Sequence, residues 1–182
     1  IKCLEEIAIR LDEKVPILIG MTDSIERSLY HLQSYFLAGN NSLIQKNEWI
    51  QFWSDFSLHP IKDDLIDYGE IGLSQAMIAS NVKLIAQYSL VDIFLSNLDV
   101  SSELETFKIN QLVQVNLTLF AWNTLLKAGS PLIKKQVLFN FPEIQGSSIP
   151  LSQLLPWLTT NDHNFKTDLQ VLLRSRFSKK PD

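Results

Sequence analysis

Three histidines, one cysteine and a run of carboxylates are the side chains here that chemistry would recruit most readily. His31, His59 and His163 lie far apart, and neither a His-Glu-x-x-His pair nor a cysteine pair occurs, so no metal-ligand spacing is present. His59 precedes Asp63, Asp64, Asp67 and Glu70. A hard-cation site or a histidine–carboxylate pair can be imagined there, but such a run is more commonly a solvated acidic helix face. No Gly-x-Ser-x-Gly elbow is found. Cys3 falls on an N-terminal helical pattern, where a packed thiol is inert. The glycines are isolated, so no loop could cradle a phosphate. These absences lead us to expect no catalytic residue, no metal and no cofactor.

Two groups of residues suggest binding instead. Asn110, Gln111, Gln114 and Thr118 share one sector of a helical wheel, with Asn116 and Asn123 nearly opposite. A buried amide left unpaired costs about 1–3 kcal/mol, so these groups must find partners. Gln111, Gln114 and Thr118 are the candidate lining of an interior polar pocket, and interhelical hydrogen bonding is the plainer account. The second group is Trp49, Phe52, Trp53 and Phe56, spaced as one helical stripe. Such a stripe is usually core; where exposed, it is a candidate patch for a protein partner, since Trp dominates such patches.

Composition narrows the classes. Charged residues are 20% and hydrophobic residues 46% of 182, which is globular rather than disordered. Gly 6 and Pro 7 are few for an all-β sandwich or barrel, and regular short β-branched runs between helices are not evident, which argues against a doubly wound α/β fold. The formal charge of −4 makes no field for polyanions. Nucleic-acid binding would rest on Lys166, Arg174, Arg176, Lys179 and Lys180 alone. The lone Cys3 forms no internal disulfide and suggests a cytoplasmic or other reducing intracellular compartment. The uncharged stretch from Ile109 to Leu126 is rich in amides and lacks basic flanks, so a membrane span is not expected.

The elements that would position these residues read as helices. Leu4, Ile7, Ala8 and Leu11 mark the first, from Ile1 to about Lys14, with a break at Val15-Pro16. The apolar run from Pro16 to Gly20 fits either a short extended piece or the first turn of a helix. Asp23-Ser24-Ile25-Glu26 reads as a capping box opening a helix that carries Leu29, Leu32 and Phe36 and ends at Gly39-Asn40-Asn41. Ser42-Leu43-Ile44-Gln45 opens another, to about Phe56. Two charge-poor helices follow, Ile71 to Leu98 and about Glu103 to Lys127, ending at Ala128-Gly129. A helix apolar all round is buried all round. Further helices are expected from Ser130-Pro131 to about Asn140, at 151–158 and at 165–177.

The sequence therefore predicts an all-α fold: one irregular multi-helix bundle, or a short stack of helical hairpins, around a central buried hairpin at 71–127. The whole of 1–182 is expected to be a single all-helical domain. Because it opens on a helical pattern at Ile1, it is expected to be a fragment of a longer protein. The expected function is a non-enzymatic protein–protein interaction or scaffold module, its partner another protein or another part of the same polypeptide. The alternative is a ligand-sensing helical domain using the amide-lined interior for a small molecule.

Overall fold

The computed structural model describes residues 2–97, 116–132 and 134. The backbone groups into two units, 1–134 and 135–182, and every described residue belongs to the first. In chain order the elements are α1 (Lys2–Leu11), β1 (Ile17–Ser24), a short 3-10 turn (Glu26–Ser28), β2 (His31–Leu32), β3 (Leu37–Gly39), α2 (Asn41–Ile44) and α3 (Asn47–Asp55). Then come α4 (Lys62–Asp64), a π-helical segment (Leu65–Ile71), α5 (Gly72–Ala79), β4 (Lys83–Tyr88), α6 (Leu90–Asn97), α7 (Leu117–Phe120) and α8 (Trp122–Lys127). The fold is therefore mixed α/β, which overturns the all-α bundle, the hairpin stack and the central helical hairpin at 71–127.

Among the described residues every strand pairing runs through β1. It is antiparallel to β3, with Leu18 opposite Gly39, Ile19 opposite Ala38 and Gly20 opposite Leu37. It is parallel to β4 from Ile17 opposite Lys83 to Thr22 opposite Tyr88. Both ladders use Leu18 to Gly20, so β3 and β4 lie on opposite edges. The last two residues of β1 pair antiparallel with β2, Asp23 opposite Leu32 and Ser24 opposite His31. A parallel return needs a long crossover, and residues 25–82 supply it, with α5 entering β4.

All eight residues of β1 are buried, so both faces of the strand are covered and its apolar half is a continuous run rather than an alternation. Ile17, Ile19 and Met21 pack on Cys3 and Ile7 of α1, Leu90 and Ile93 of α6, Leu117 of α7 and Leu125 of α8. Leu18 faces the other way, into Leu32, Leu43, Leu73, Met77 and Val82, with Trp49 and Phe52 against them. Gly20 also faces that side. A Cβ there would stand 2.9 Å from Leu32 Cβ, so only glycine lets the chain at Leu32 cross so near the strand.

The misread elements have local causes. The stretch Ile71 to Leu98 contains no proline, and its apolar residues cover the helical circumference. Yet α5 stops at Ala79, where Asn81 takes φ 55°. Val82 N donates to Met77 O at 2.9 Å and Asn81 N to Ile78 O at 3.0 Å. This is a Schellman termination with Asn in the left-handed position and Val82 packed beside Met77. The chain beyond it is free to become β4. The expected end at Gly129 is of the same kind: φ is 96°, and Ser130 N donates to Leu125 O at 2.9 Å.

The capping box at Asp23-Ser24-Ile25-Glu26 caps no long helix. Asp23 and Ser24 end β1, and Ser24 Oγ accepts from Glu26 N at 3.0 Å, a turn that the same residue types make just as well. The expected helix on Leu29, Leu32 and Phe36 is replaced by β2 and β3. Asn40, expected to end a helix, starts one. Its Oδ1 accepts from Leu43 N at 3.0 Å and from Ile17 N at 3.2 Å. Its Nδ2 donates to Glu13 O at 2.8 Å and to Val15 O at 2.7 Å. The first helix, expected to run to about Lys14, ends at Leu11, and Cys3 and Ile7 are its buried residues, while Leu4 and Ala8 of the expected stripe are exposed. The helix expected from Ser42 to Phe56 is divided into α2 and α3. Residues 98–115 and 135–182, which hold the start of the second charge-poor helix and the helices expected at 151–158 and 165–177, lie outside the described residues. Ser130, Pro131 and Leu132, expected to open a helix, are non-helical. No helix among the described residues is long and apolar enough to cross a membrane.

Asn40 thus ties the start of β1, the start of α2 and the α1–β1 connection through four bonds of one buried side chain. Asn40→Ala is expected to lower stability by about 3 kcal/mol, because several buried groups lose their partner together. Asn41→Ala, at the exposed neighbour, should change it by less than about 0.5 kcal/mol. Urea unfolding midpoints of the two variants check this.

Candidate functional site

β1 changes character along its length. Ile17 to Met21 is apolar, and Thr22, Asp23 and Ser24 are polar yet buried. These three lie at the carboxyl end that β1 shares with its parallel neighbour β4, which is where open α/β sheets bind ligands. Buried polar groups need partners, and each has them. Thr22 Oγ1 donates to Gln33 Oε1 at 2.7 Å. With that proton committed, the 2.8 Å contact between Thr22 Oγ1 and Tyr35 Oη has the tyrosine as donor. Asp23 Oδ1 accepts from Leu90 N at the start of α6, as a carboxylate favours a helix N-terminus.

The Asp23 carboxyl is nonetheless raised above its ordinary range. Burial is the main cause, and the amides of Leu90 and Asp23 and the Tyr30 hydroxyl only partly oppose it. Tyr30 is pushed up to about 12 by burial and by Asp23. Tyr35 is likewise pushed up to about 12, mainly by burial.

His31 is the second feature. It is 0% exposed. Its Nδ1 donates to Leu29 O at 2.8 Å, and its Nε2 stands 3.4 Å from Glu70 Oε1. Both ring nitrogens therefore face oxygen acceptors, an arrangement suited to imidazolium and not to either neutral tautomer. The 3.4 Å contact with Glu70 is an ion pair when His31 is protonated, and among the described residues Nε2 makes no hydrogen bond. Glu70 Oε2 accepts from Ser34 N at 2.8 Å and Ser34 Oγ at 2.6 Å. Burial works against the charge on each side chain, but the partners outweigh it. His31 is raised by Glu70 and the Leu29 carbonyl, and Glu70 is lowered by His31 and Ser34.

The elements that hold this cluster are themselves unusual. Glu70 belongs to seven consecutive π-helical residues, Leu65–Ile71, a form that recurs at functional sites. Immediately after it, Ser74 Oγ accepts from Leu32 N at 3.0 Å and Gln75 Nε2 donates to Tyr30 O at 2.7 Å. Across the same gap Arg27 pairs with Asp63 at 3.0 Å and with Asp67. Arg27 and Ser28 both sit at positive φ, 60° and 62°, a conformation that costs a non-glycine residue energy and persists only where other contacts impose it.

The residues singled out in the sequence are distributed differently. Trp49, Phe52, Trp53 and Phe56 do come together on α3, with Trp49–Trp53 centroids 5.5 Å apart and Phe52–Phe56 stacked at 5.8 Å. No residue of α3 is fully buried; Trp53 is 44% exposed. His59 stacks on Tyr68 with centroids 4.7 Å apart. Of the acids that follow it, Asp63 and Asp67 serve Arg27 and Glu70 serves His31. A histidine–carboxylate pair thus exists, with a histidine distant in sequence. Of Gln111, Gln114 and Thr118, the two glutamines lie outside the described residues. Thr118 is buried and donates to Asn116 Oδ1 at 2.6 Å. Among the described residues no group of three histidine, cysteine or acidic side chains is arranged to hold a metal ion.

Sequence reasoning missed Thr22, Asp23, His31, Gln33 and Tyr35. The available signal was the run Ile17-Leu18-Ile19-Gly20-Met21 giving way at once to Thr22-Asp23-Ser24, which is how a buried strand with a polar carboxyl end reads.

The His31–Glu70 pair carries a pH signature. His31, raised above its ordinary 6.5, contributes fully below that value and loses its contribution as pH rises through its folded value. Glu70, lowered from 4.5, contributes above that value and loses its contribution as pH falls through its folded value. The stability difference between the natural chain and Glu70→Gln should be largest between 4.5 and 6.5, at about 3 kcal/mol, and shrink on either side. Urea midpoints across pH check this.

No family model, no curated protein and no solved structure matches this chain.

Proposed function

We propose that the domain binds a small polar ligand at the carboxyl end of β1 and β4. The observation that supports this is the concentration there of buried polar side chains, Thr22, Asp23, Ser24, His31 and Gln33, around one strand whose other half is wholly apolar. A protein that needed only stability would fill these positions with apolar residues at no loss, because hydrogen-bonded polar pairs in a core are often no better than well-packed hydrophobic ones. The acids at this end include Asp23, Glu26 and Glu70, of which Glu70 is paired with His31, and Thr22 Oγ1 and the Asp23 carboxyl are acceptors on β1 itself, so the ligand is an uncharged or weakly cationic one that offers hydrogen-bond donors. Binding is the commitment of this proposal; chemistry on the ligand is no part of it.

A second reading keeps the aromatic stripe. We propose that α3 and its continuation form a contact for a protein partner, supported by Trp53, Ile50, Leu58, Ile61 and Tyr68 all being exposed, Leu58 to 86%. Exposed aromatic and aliphatic residues so placed are what a binding hot spot requires. The two readings use different surfaces and can be separated by variants.

A thermal-shift panel of amines, polyols and amino acids tests the first. A ligand at a hundredfold excess over its Kd stabilises the folded chain by about 2.7 kcal/mol, and Thr22→Val should abolish that shift for the compound that produces it. A flat panel contradicts the proposal. For the second, Trp53→Ala is expected to remove partner capture while shifting the urea midpoint by less than about 1 kcal/mol. Capture indifferent to Trp53→Ala and to Leu58→Ser would contradict it.

A further inference from the structure

The segment from Ile25 to Tyr35 lies over the polar end of β1, and its own side chains fill the hydrogen-bonding positions there. Gln33 and Tyr35 bond Thr22 at 2.7 and 2.8 Å, and Tyr30 lies near enough to Asp23 for each to shift the other's pKa. A ligand reaching Thr22 or Asp23 would have to replace these groups.

The apolar anchor of the segment is Leu32, packed with Leu18, Leu73 and Met77, and most of its polar attachments outside β1 gather in one place. Its backbone pairs with β1 only at Asp23 and Ser24 and through Gln33 N to Thr22 O at 2.9 Å. Beyond the side-chain bonds to Thr22, those of Glu26 with Ser24 and the 3.4 Å bond from Asn116 Nδ2 to Glu26 Oε2, its polar ties go to residues 63–75: Arg27 to Asp63 and Asp67, His31 and Ser34 to Glu70, Leu32 N to Ser74 and Tyr30 O to Gln75. Glu70 alone makes three of them, two to Ser34 and one to His31. Arg27 and Ser28, at φ 60° and 62°, hold a conformation that relaxes if the ties are released.

We propose that residues 25–35 are a strap closed over Thr22 and Asp23 and latched by Glu70, which opens as a unit by local release from residues 63–75 while β1, β3 and β4 stay paired. What the opening admits rests on the ligand reading above; the latch is tested without any ligand. Opening of the strap would expose Leu32, His31 and Gln33, which are buried, but far less surface than global unfolding, so it responds more weakly to denaturant.

Hydrogen exchange of the full chain, read by NMR at several low urea concentrations, tests this. The amides of Leu32, Gln33 and Ser34 are hydrogen-bonded and report on the strap; those of β1 and β4 report on the sheet. The strap amides are expected to exchange at least tenfold faster than the sheet amides, with a urea dependence less than half that of the sheet amides. In Glu70→Gln they should accelerate by a further tenfold while the sheet amides change less than threefold. Exchange of strap and sheet together, with one urea dependence, overturns the strap. Should Glu70→Gln fail to fold, the urea series on the natural chain decides alone. A blank thermal-shift panel overturns ligand binding and leaves the exchange result standing.

Discussion

One strand carries the architecture. β1 is buried along its whole length and takes part in every strand pairing of the described residues, so the apolar cores on its two faces and the polar cluster at its end all depend on its register. Register in a strand has period two, and a slip of one residue exchanges the faces. Here a slip would turn Ile17, Ile19 and Met21 toward α5 and put Leu18 against α1. It would also bring a side chain where Gly20 now allows Leu32 to approach. Asn40 counts among the devices that hold the register, since it bonds Ile17 N at the start of the strand.

The same strand explains why polar groups gather where they do. Its first five residues are enclosed by α1, α6, α7 and α8 on one side and by α3 and α5 on the other. The last three leave that enclosure and meet β2 and the start of α6 instead. Buried polar atoms at that point must be bonded, and the chain meets the demand with side chains from two distant segments, 30–35 and 70–75. Among these links is the buried pair of His31 and Glu70. It is costly to bury and still more costly to half-remove, which ties the position of the π-helical segment to that of β2.

Several local features were legible in the residues. The N-terminal helix, the helical character of 41–55, the clustering of the α3 aromatics and the stop at Gly129 all follow from short-range rules. The sheet did not, and the reasons differ strand by strand. β1 is apolar on both faces, so it lacks the alternation that marks a half-buried strand and resembles a buried helix turn. β2 and β3 are two and three residues long and exist only because β1 is beside them. β4 follows a helix with no glycine or proline between, the reversal being made by Asn81 at positive φ. Asp23-Ser24-Ile25-Glu26 shows the same ambiguity from the other side, because the residues that cap helices also make turns at strand ends. The site was invisible for a related reason: His31 and Glu70 are brought together by the crossover from β1 to β4, which no local pattern specifies.

The central claim is that the carboxyl end of β1 is closed by a charged, buried histidine–carboxylate pair. Nitrogen chemical shifts of the His31 ring measure it most directly. The account predicts that at pH 6 both His31 nitrogens carry protons, with a titration midpoint above the ordinary 6.5. A neutral ring at that pH, or a midpoint at or below 6.5, would contradict it.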